Sequence, residues 1–284
     1  MKKATFLLIL LSCVLFAQAQ SLNIASYNIR NANPGDSING NGWKERCLAI
    51  CNIIDYYDFD IMGAQEVKFR QLNDILDNQK QYSYLGVGRD DGKTQGEYAP
   101  IFYKKEKFEI IKSGNFWMAE DTSFPNKGWD AALPRICTYG KLKDKNTGYE
   151  FWVFNLHMDH VGEVARKESS KLIISKIKEL CRKEAVILMG DFNFDQTGEN
   201  YTILNSSGIL KDSYEMAANP YAPNGTFNAF NIQTKTDSRI DHIFVSSAFT
   251  VKKYGILTEI YWNDGEARLP SDHYPVCIKL KYEK

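Results

Sequence analysis

The chain has 284 residues, enough for one large domain or two small ones, and its 44% hydrophobic, 25% charged composition is that of an ordinary globular protein. Lys plus Arg and Asp plus Glu both number 35, so the formal net charge is zero. That balance argues against a sequence-independent grip on duplex nucleic acid, which needs a basic face to displace counterions, and leaves only a local basic patch for such a role.

Residues 1–19 read as a secretory signal: Lys2-Lys3 form the basic region, residues 6–16 the apolar region, and Ala17-Gln18-Ala19 a small-x-small cleavage site. The apolar run is too short to span a membrane. The expected mature chain, residues 20–284, is a single domain that is secreted or periplasmic and carries no transmembrane segment. An alternative is lipoprotein processing at Cys13, where Leu10-Leu11-Ser12-Cys13 loosely resembles a lipobox, although that puts the cut inside the apolar run. Five Cys remain after cleavage, an odd number in a domain that needs no staples. Cys47 and Cys51 lie four apart on a predicted helix and read as small buried hydrophobes.

Residues 22–28 read as a strand. The Gly-, Asn- and Pro-rich stretch 31–42 reads as a loop. Residues 43–57 carry apolar side chains at helical spacing, 60–65 form a second strand, and 69–76 a second helix. The period then changes, and 82–87, 97–103, 108–115, 136–142 and 150–156 read as successive strands. An amphipathic helix over 164–181 precedes a continuous apolar strand at 186–189, of the kind covered on both faces. Residues 193–236 are polar and irregular, with one short helix near 198–205. Strands at 240–245, 251–260 and 276–280 complete the series. Helices follow strands in both halves, which points to two sheets with helices outside, an α/β sandwich.

Acidic, amide and imidazole side chains recur where these apolar runs end, and burying an unpaired carboxylate is costly, so their clustering there implies a metal or a reaction. Glu66 follows Ile61 to Gln65, and with Asp272 it forms a pair of carboxylates suited to Mg²⁺ or Mn²⁺, which take oxygen ligands. In Gly190-Asp191-Phe192-Asn193, alternation puts Asp191 and Asn193 on one side and Phe192 on the other; an Asx-turn is the competing reading. Asp241 shares a face with Ile243 and Val245, while His242 falls on the packing face. His273, in Ser271-Asp272-His273, can act as base or acid near neutral pH if a carboxylate fixes its tautomer, and Asp241 is the candidate orienter. His157 can donate to a developing oxyanion, and Asp159 and His160 read as capping or supporting groups. Asn28 can orient Glu66 or a phosphate oxygen. Arg135 has the fork geometry that matches phosphate, against the alternative of an ordinary surface arginine.

Taken in order, Asn28, Gln65-Glu66, Asn155-x-His157, Gly190-Asp191-x-Asn193, Ile240-Asp241-His242 and Ser271-Asp272-His273 resemble the endonuclease/exonuclease/phosphatase superfamily, over about residues 22–281. The resemblance implies a DNase-like, four-layer α/β sandwich of two packed mixed β-sheets flanked by helices. It implies that Glu66 and Asp272 hold Mg²⁺ or Mn²⁺, that Asp191 and Asn193 position water and phosphate, that Asp241 orients His273, and that His157 stabilises the transition state. Whether Asp191 or His273 takes the proton stays open. The segments 96–103, 116–118 and 128–135 look like a secreted, deadenylase-like bacterial branch described as metal-dependent hydrolases, in which Tyr98 and Arg135 would line the phosphate site.

The expectation is therefore a secreted Mg²⁺-dependent phosphohydrolase, first a phosphodiesterase with an exonuclease-like nuclease in view. The alternative substrate is a small sugar, inositol or lipid phosphate. The alternative class is a non-catalytic binding module on the same fold. No stable protein partner is implied.

Overall fold

A computed structural model describes residues 20–282. The expected signal segment, including Cys13, lies outside the described residues.

Two mixed sheets pack face to face. The first has seven strands, in the order Pro220–Tyr221, Thr250–Ile256, Val276–Tyr282, Gln20–Asn28, Ile61–Gln65, Ile101–Lys104 and Tyr82–Leu85. The second has six, in the order Lys211–Asp212, Asp241–Val245, Val186–Asp191, Glu150–His157, Ile136–Asp144 and Phe108–Trp117. Each sheet has a parallel pair near its centre, Gln20–Asn28 with Ile61–Gln65 and Val186–Asp191 with Glu150–His157; the other pairs are antiparallel except the edge pair Pro220–Tyr221 with Thr250–Ile256. This is the α/β sandwich the sequence leads one to expect.

Strand alternation builds the layers. Leu22, Ile24 and Ile61 of the first sheet meet Val153, Ile187, Met189 and Ile243 of the second in the central core. The opposite-facing Ala25, Tyr27, Met62 and Ala64 pack under helices Trp43–Tyr57 and Phe69–Asn78, through Cys47, Ile50, Ile54 and Leu72. On the far side, Phe154, Leu188 and Phe192 pack under helix Glu163–Cys181, through Ile173 and Ile177. Truncating a fully buried residue such as Ile187 to alanine would cost about 2–5 kcal/mol. The five described Cys are free thiols, four of them buried. Among the described residues no helix is long and apolar enough to cross a membrane.

Three local expectations need correction. The stretch 31–42 contains a short helix, Pro34–Ile38, whose first turn is capped by the Asn33 side chain accepting from the Asp36 N–H. The segment 97–103 is two strands, Glu97–Tyr98 and Ile101–Lys104. Pro100 interrupts it because it lacks an N–H, and its carbonyl instead accepts from Ala64 N and Asn155 Nδ2. The strand expected over 251–260 ends at Ile256.

The sheets come unusually close where the site forms. A Cβ on Gly63 would lie 2.7 Å from the Asn155 side chain and 2.9 Å from Met189 Cε, so only glycine fits. Across this contact Gln65 Nε2 donates to Asn155 Oδ1 at 2.7 Å, and Asn155 Nδ2 donates to the Ala64 carbonyl at 2.8 Å. These buried bonds fix the ends of the two sheets relative to each other.

Candidate active site

The first sheet delivers Asn28 from the end of Gln20–Asn28, Glu66 just past Ile61–Gln65, and Asp272 and His273 just before Val276–Tyr282. The second delivers His157, Asp191 and Asp241, which sit directly opposite one another on three neighbouring strands. Asp241 follows the inward alternation of Ile243 and Val245, whereas His242 points outward among Phe192, Phe194, Tyr201 and Phe244. Glu66 and Asn193 have φ of 61° and 52°, a left-handed conformation uncommon for residues with side chains. In both cases the chain turns as it leaves the strand and keeps the side chain at the site.

Glu66, His157, Asp191, Asn193, Asp272 and His273 line one cavity of about 360 Å³ together with Arg30, Asn31, Arg89, Glu97, Leu133, Arg135, His160 and Phe227, while Asn28 and Asp241 are joined to it through Asp191 and His273. His273 Nδ1 and Asp241 Oδ2 are 2.8 Å apart, with both side chains buried. Asp191 Oδ2 accepts from Asn28 Nδ2 at 2.9 Å and lies 3.5 Å from His157 Nε2 and 3.7 Å from His273 Nε2. Its other oxygen accepts from the Asn193 backbone N–H at 3.0 Å. Asn193 Nδ2 is held by the Met158 carbonyl at 3.0 Å.

Burial, with the Asp241 charge added, pushes the Asp191 carboxyl up to about 7. Burial opposes charge on His273, but the Asp241 and Asp191 carboxylates outweigh it and raise its pKa to about 10. His157 is driven well below its ordinary value by burial and then by Arg135 and Arg89, so it stays a neutral imidazole. Burial works against ionisation of Glu66, yet the Asn31 N–H at 3.1 Å and nearby cations hold its pKa down. Burial and the Glu66 charge raise Asp272.

Asn28 also donates to Glu66 Oε1 at 3.3 Å and so bridges Glu66 to Asp191. The donors gathered at the floor are carboxylate and amide oxygens, which fit a hard divalent cation such as Mg²⁺ or Mn²⁺. Ligand atoms of Asp191, Asp241 and His273 lie within 4.8 Å of one another, so this trio can coordinate a divalent metal. The Asp241–His273 hydrogen bond occupies one of those donors, and the carboxylates of Glu66 and Asp272 stand on the same cavity wall as Asp191.

Two arginines, Arg89 and Arg135, line the same cavity. Arg135 is buried; its Nε donates to Asp159 Oδ2 at 3.1 Å, its Nη2 meets His160 Nδ1 at 2.8 Å, and its Nη1 has no protein partner. Arg89 is likewise buried, pairs with Glu97 at 2.6 Å, and leaves its Nε unpartnered. Asp159, expected to cap the next helix or to support the site, accepts from the N–H groups of Ala132, Leu133, Val161 and Gly162 ahead of helix Glu163–Cys181 and supports Arg135, while Asp130 accepts from the helix's own Val164 and Ala165 N–H groups.

One expected site residue stands elsewhere. Tyr98 is outside the cavity lining; its ring packs against Phe69 and its hydroxyl donates to the Lys93 carbonyl at 2.9 Å. On a two-residue strand, neighbours point oppositely, and it is Glu97 that faces the site. Sequence reading also missed Arg30, Asn31, Arg89 and Glu97. Arg30 and Asn31 adjoin the Asn28 strand end, which was a usable signal. Arg89 lies in Gly86-Val87-Gly88-Arg89-Asp90, where no periodicity marks it.

A larger cavity, about 710 Å³, is lined by Gln196, Tyr214, Asn224, Lys235 and Arg239 among others. Its Arg239 is engaged by Asp212 at 3.3 Å and by the Tyr214 ring at 3.8 Å, so it offers no comparable site.

A model of the Endonuclease/Exonuclease/phosphatase family matches residues 25–273. An endonuclease/exonuclease/phosphatase family protein from Bacteroides thetaiotaomicron superposes with a TM-score of 0.92 at 52% identity, over 94% of this chain and 100% of that one. A structure described as a mannosyl-6-phosphatase of the same organism superposes at 0.90 with 52% identity, over 91% of this chain and 99% of that one. An uncharacterised protein of Acanthamoeba polyphaga mimivirus is 25% identical over 260 residues, 83% of this chain and 91% of its own length.

Proposed function

The chain belongs to the endonuclease/exonuclease/phosphatase family, and on that premise we propose that it is an exported, divalent-metal-dependent phosphatase acting on a small sugar phosphate monoester. The observation that carries this reading is the pair of buried arginines that line the cavity, Arg89 and Arg135, each with one nitrogen that has no hydrogen-bond partner. A phosphate monoester carries nearly two negative charges at neutral pH, a diester only one. Two guanidinium groups beside a carboxylate floor suit the dianion, because buried cations without an anion between them are unfavourable. The 52% identity to a protein described as a mannosyl-6-phosphatase supports the same choice. The order of the two substrate classes is thus reversed from the one the sequence favoured.

Arg89 and Arg135 bind the non-bridging phosphate oxygens. Asp159 aims Arg135 and Glu97 aims Arg89. Asp191 accepts the proton of the attacking water: its carboxyl is tuned near neutrality, while His273 already holds a proton between two carboxylates. Asp241 fixes the ring of His273 through Nδ1, which leaves Nε2 facing Asp191 and the substrate. His157, kept neutral, donates a hydrogen bond to the phosphoryl oxygen as charge builds. Glu66 and Asp272 hold the cation. When bound, that ion neutralises phosphoryl charge and stabilises the departing alkoxide.

The nuclease reading, with its deadenylase-like branch, is a second proposal. Phe227 is 42% exposed at the cavity and can stack a base as readily as the apolar face of a sugar. Export rests on the sequence of residues 1–19.

The test is phosphate release from mannose 6-phosphate, beside cleavage of single-stranded RNA, each with Mg²⁺ and with EDTA. Mg²⁺-dependent phosphate release with little RNA cleavage is expected. Salt-sensitive RNA cleavage with inert sugar phosphates would favour the nuclease, and no turnover on any phosphoester would favour a binding module.

A further inference from the structure

We infer that Arg30 is a built-in cation standing in place of a second divalent ion, so that the site holds one metal and not two; this rests on the metal-dependent reading of the cavity. Arg30 lies two residues past the strand end at Asn28, in the left-handed conformation with φ of 57°. Its guanidinium lies 3.5 Å from Asp272 Oδ2 and 3.9 Å from Glu66 Oε2, the two carboxylates assigned to the cation.

Both ends of the residue are pinned. The backbone N–H donates to Asn28 Oδ1 at 3.0 Å, and the carbonyl accepts from Gln71 Nε2 at 2.9 Å and Arg46 Nη2 at 3.1 Å. Arg46 is itself buried and reaches the carbonyls of Ile29 and Pro270, so this turn is tied to the chain just before Asp272. At the other end, Nε and Nη2 form a fork onto the Asp36 carboxylate, at 2.8 Å and 3.3 Å. Asp36 in turn accepts from Asn33 Nδ2 and belongs to the short helix Pro34–Ile38. The side chain is therefore held by the fold, and its remaining nitrogen, Nη1, is the one turned to Glu66 and Asp272.

The spacing matters. At 3.5–3.9 Å the guanidinium neutralises charge without making close hydrogen bonds, so lone pairs on Glu66 and Asp272 stay available to one ion. A second dication between these carboxylates would meet a fixed positive charge at ion-pair distance. Nor are free ligands left for it: Asp36 is taken by the same arginine, Glu97 is paired with Arg89, and in the Asp191–Asp241–His273 trio Asp241 and His273 are engaged with each other.

The experiment titrates metal-free protein with Mn²⁺, counting bound ions by electron paramagnetic resonance and measuring affinity by calorimetry. Wild type and Arg30→Lys, which keeps the charge, should each bind one ion. Arg30→Asp, which removes the cation and adds a ligand, should bind two. If that variant does not fold, Arg30→Gln should bind its first ion about tenfold more tightly, since only a like charge is lost. Two ions in wild type would overturn the inference. So would one ion of unchanged affinity in folded Arg30→Asp or Arg30→Gln, a result that assigns Arg30 to substrate or structure and leaves the metal-dependent reading standing. Absence of Mn²⁺ binding in every form would overturn both.

Discussion

The two sheets meet at one cavity but bring different chemistry to it. The strand ends of the first sheet supply Asn28, Glu66 and Asp272, oxygen-bearing groups wrapped in donors from a local loop. Those of the second supply His157 and Asp191, buried so deeply that their ionisation shifts, together with the buried side chains of Asp241 and Arg135. His273 crosses, arriving beside Asp272 and bonding to Asp241 of the other sheet, as Asn28 does to Asp191. On the proposed reading, one half holds positive charge and the other moves a proton and recognises an anion. Neither half is a site alone, so the buried Gln65–Asn155 bond between sheets matters as much as any residue that touches substrate.

Removing the crossing residue should break the comparison most severely. His273→Ala and Asp191→Asn should each lower turnover by about 10³-fold or more. They should differ in stability. The first leaves Asp241 buried without its partner and lowers the melting temperature, while the second relieves repulsion with Asp241 and does not. Equal melting curves for the two would show that the Asp241–His273 bond carries little weight. His157→Ala should follow, at about 10²–10³ in kcat, measured in steady-state assays. Arg135→Ala and Arg89→Gln come next. Each should raise KM for a sugar phosphate about tenfold while changing a diester less, and equal effects on both substrates would remove the dianion argument.

A smaller effect tests the scaffold behind Arg135. Asp159 is held below the usual carboxylate range: burial opposes this, but the Gly162, Ala132 and Val161 N–H groups and Arg135 outweigh it. A depressed folded pKa contributes stability that is complete above the unfolded value, about 3.9, and is lost as pH falls through the folded one. Asp159→Asn should thus flatten the acid limb of the melting temperature below about pH 4, and an unchanged limb would contradict the assignment. Smallest of all, Tyr98→Phe should cost about 0.5–1.5 kcal/mol of stability and leave turnover intact, since its hydroxyl only meets the Lys93 carbonyl.

What the sequence revealed follows a physical line. Asp191, Asp241 and His157 were legible because period-2 alternation in apolar strands tells which face a terminal residue occupies, and the register then sets them side by side. The layers were legible for the same reason. Glu97 and Tyr98 were misjudged because a two-residue strand broken by Pro100 gives alternation nothing to count. Arg30 and Arg89 were missed for a different reason: they sit in loops, and Arg30 takes its meaning from the distant Glu66 and Asp272, Arg89 from Glu97 and a fold that closes on both.

The central claim is that this cavity is built for a phosphate dianion. The most direct measurement is the ratio of kcat/KM for p-nitrophenyl phosphate to that for its methyl ester, which shares the leaving group and differs by one charge, at pH 7 with Mg²⁺. A preference for the monoester of about 100-fold is expected, from two charge-assisted contacts weakened together. Equal rates, or a faster methyl ester, would contradict the account and return the site to phosphodiesters.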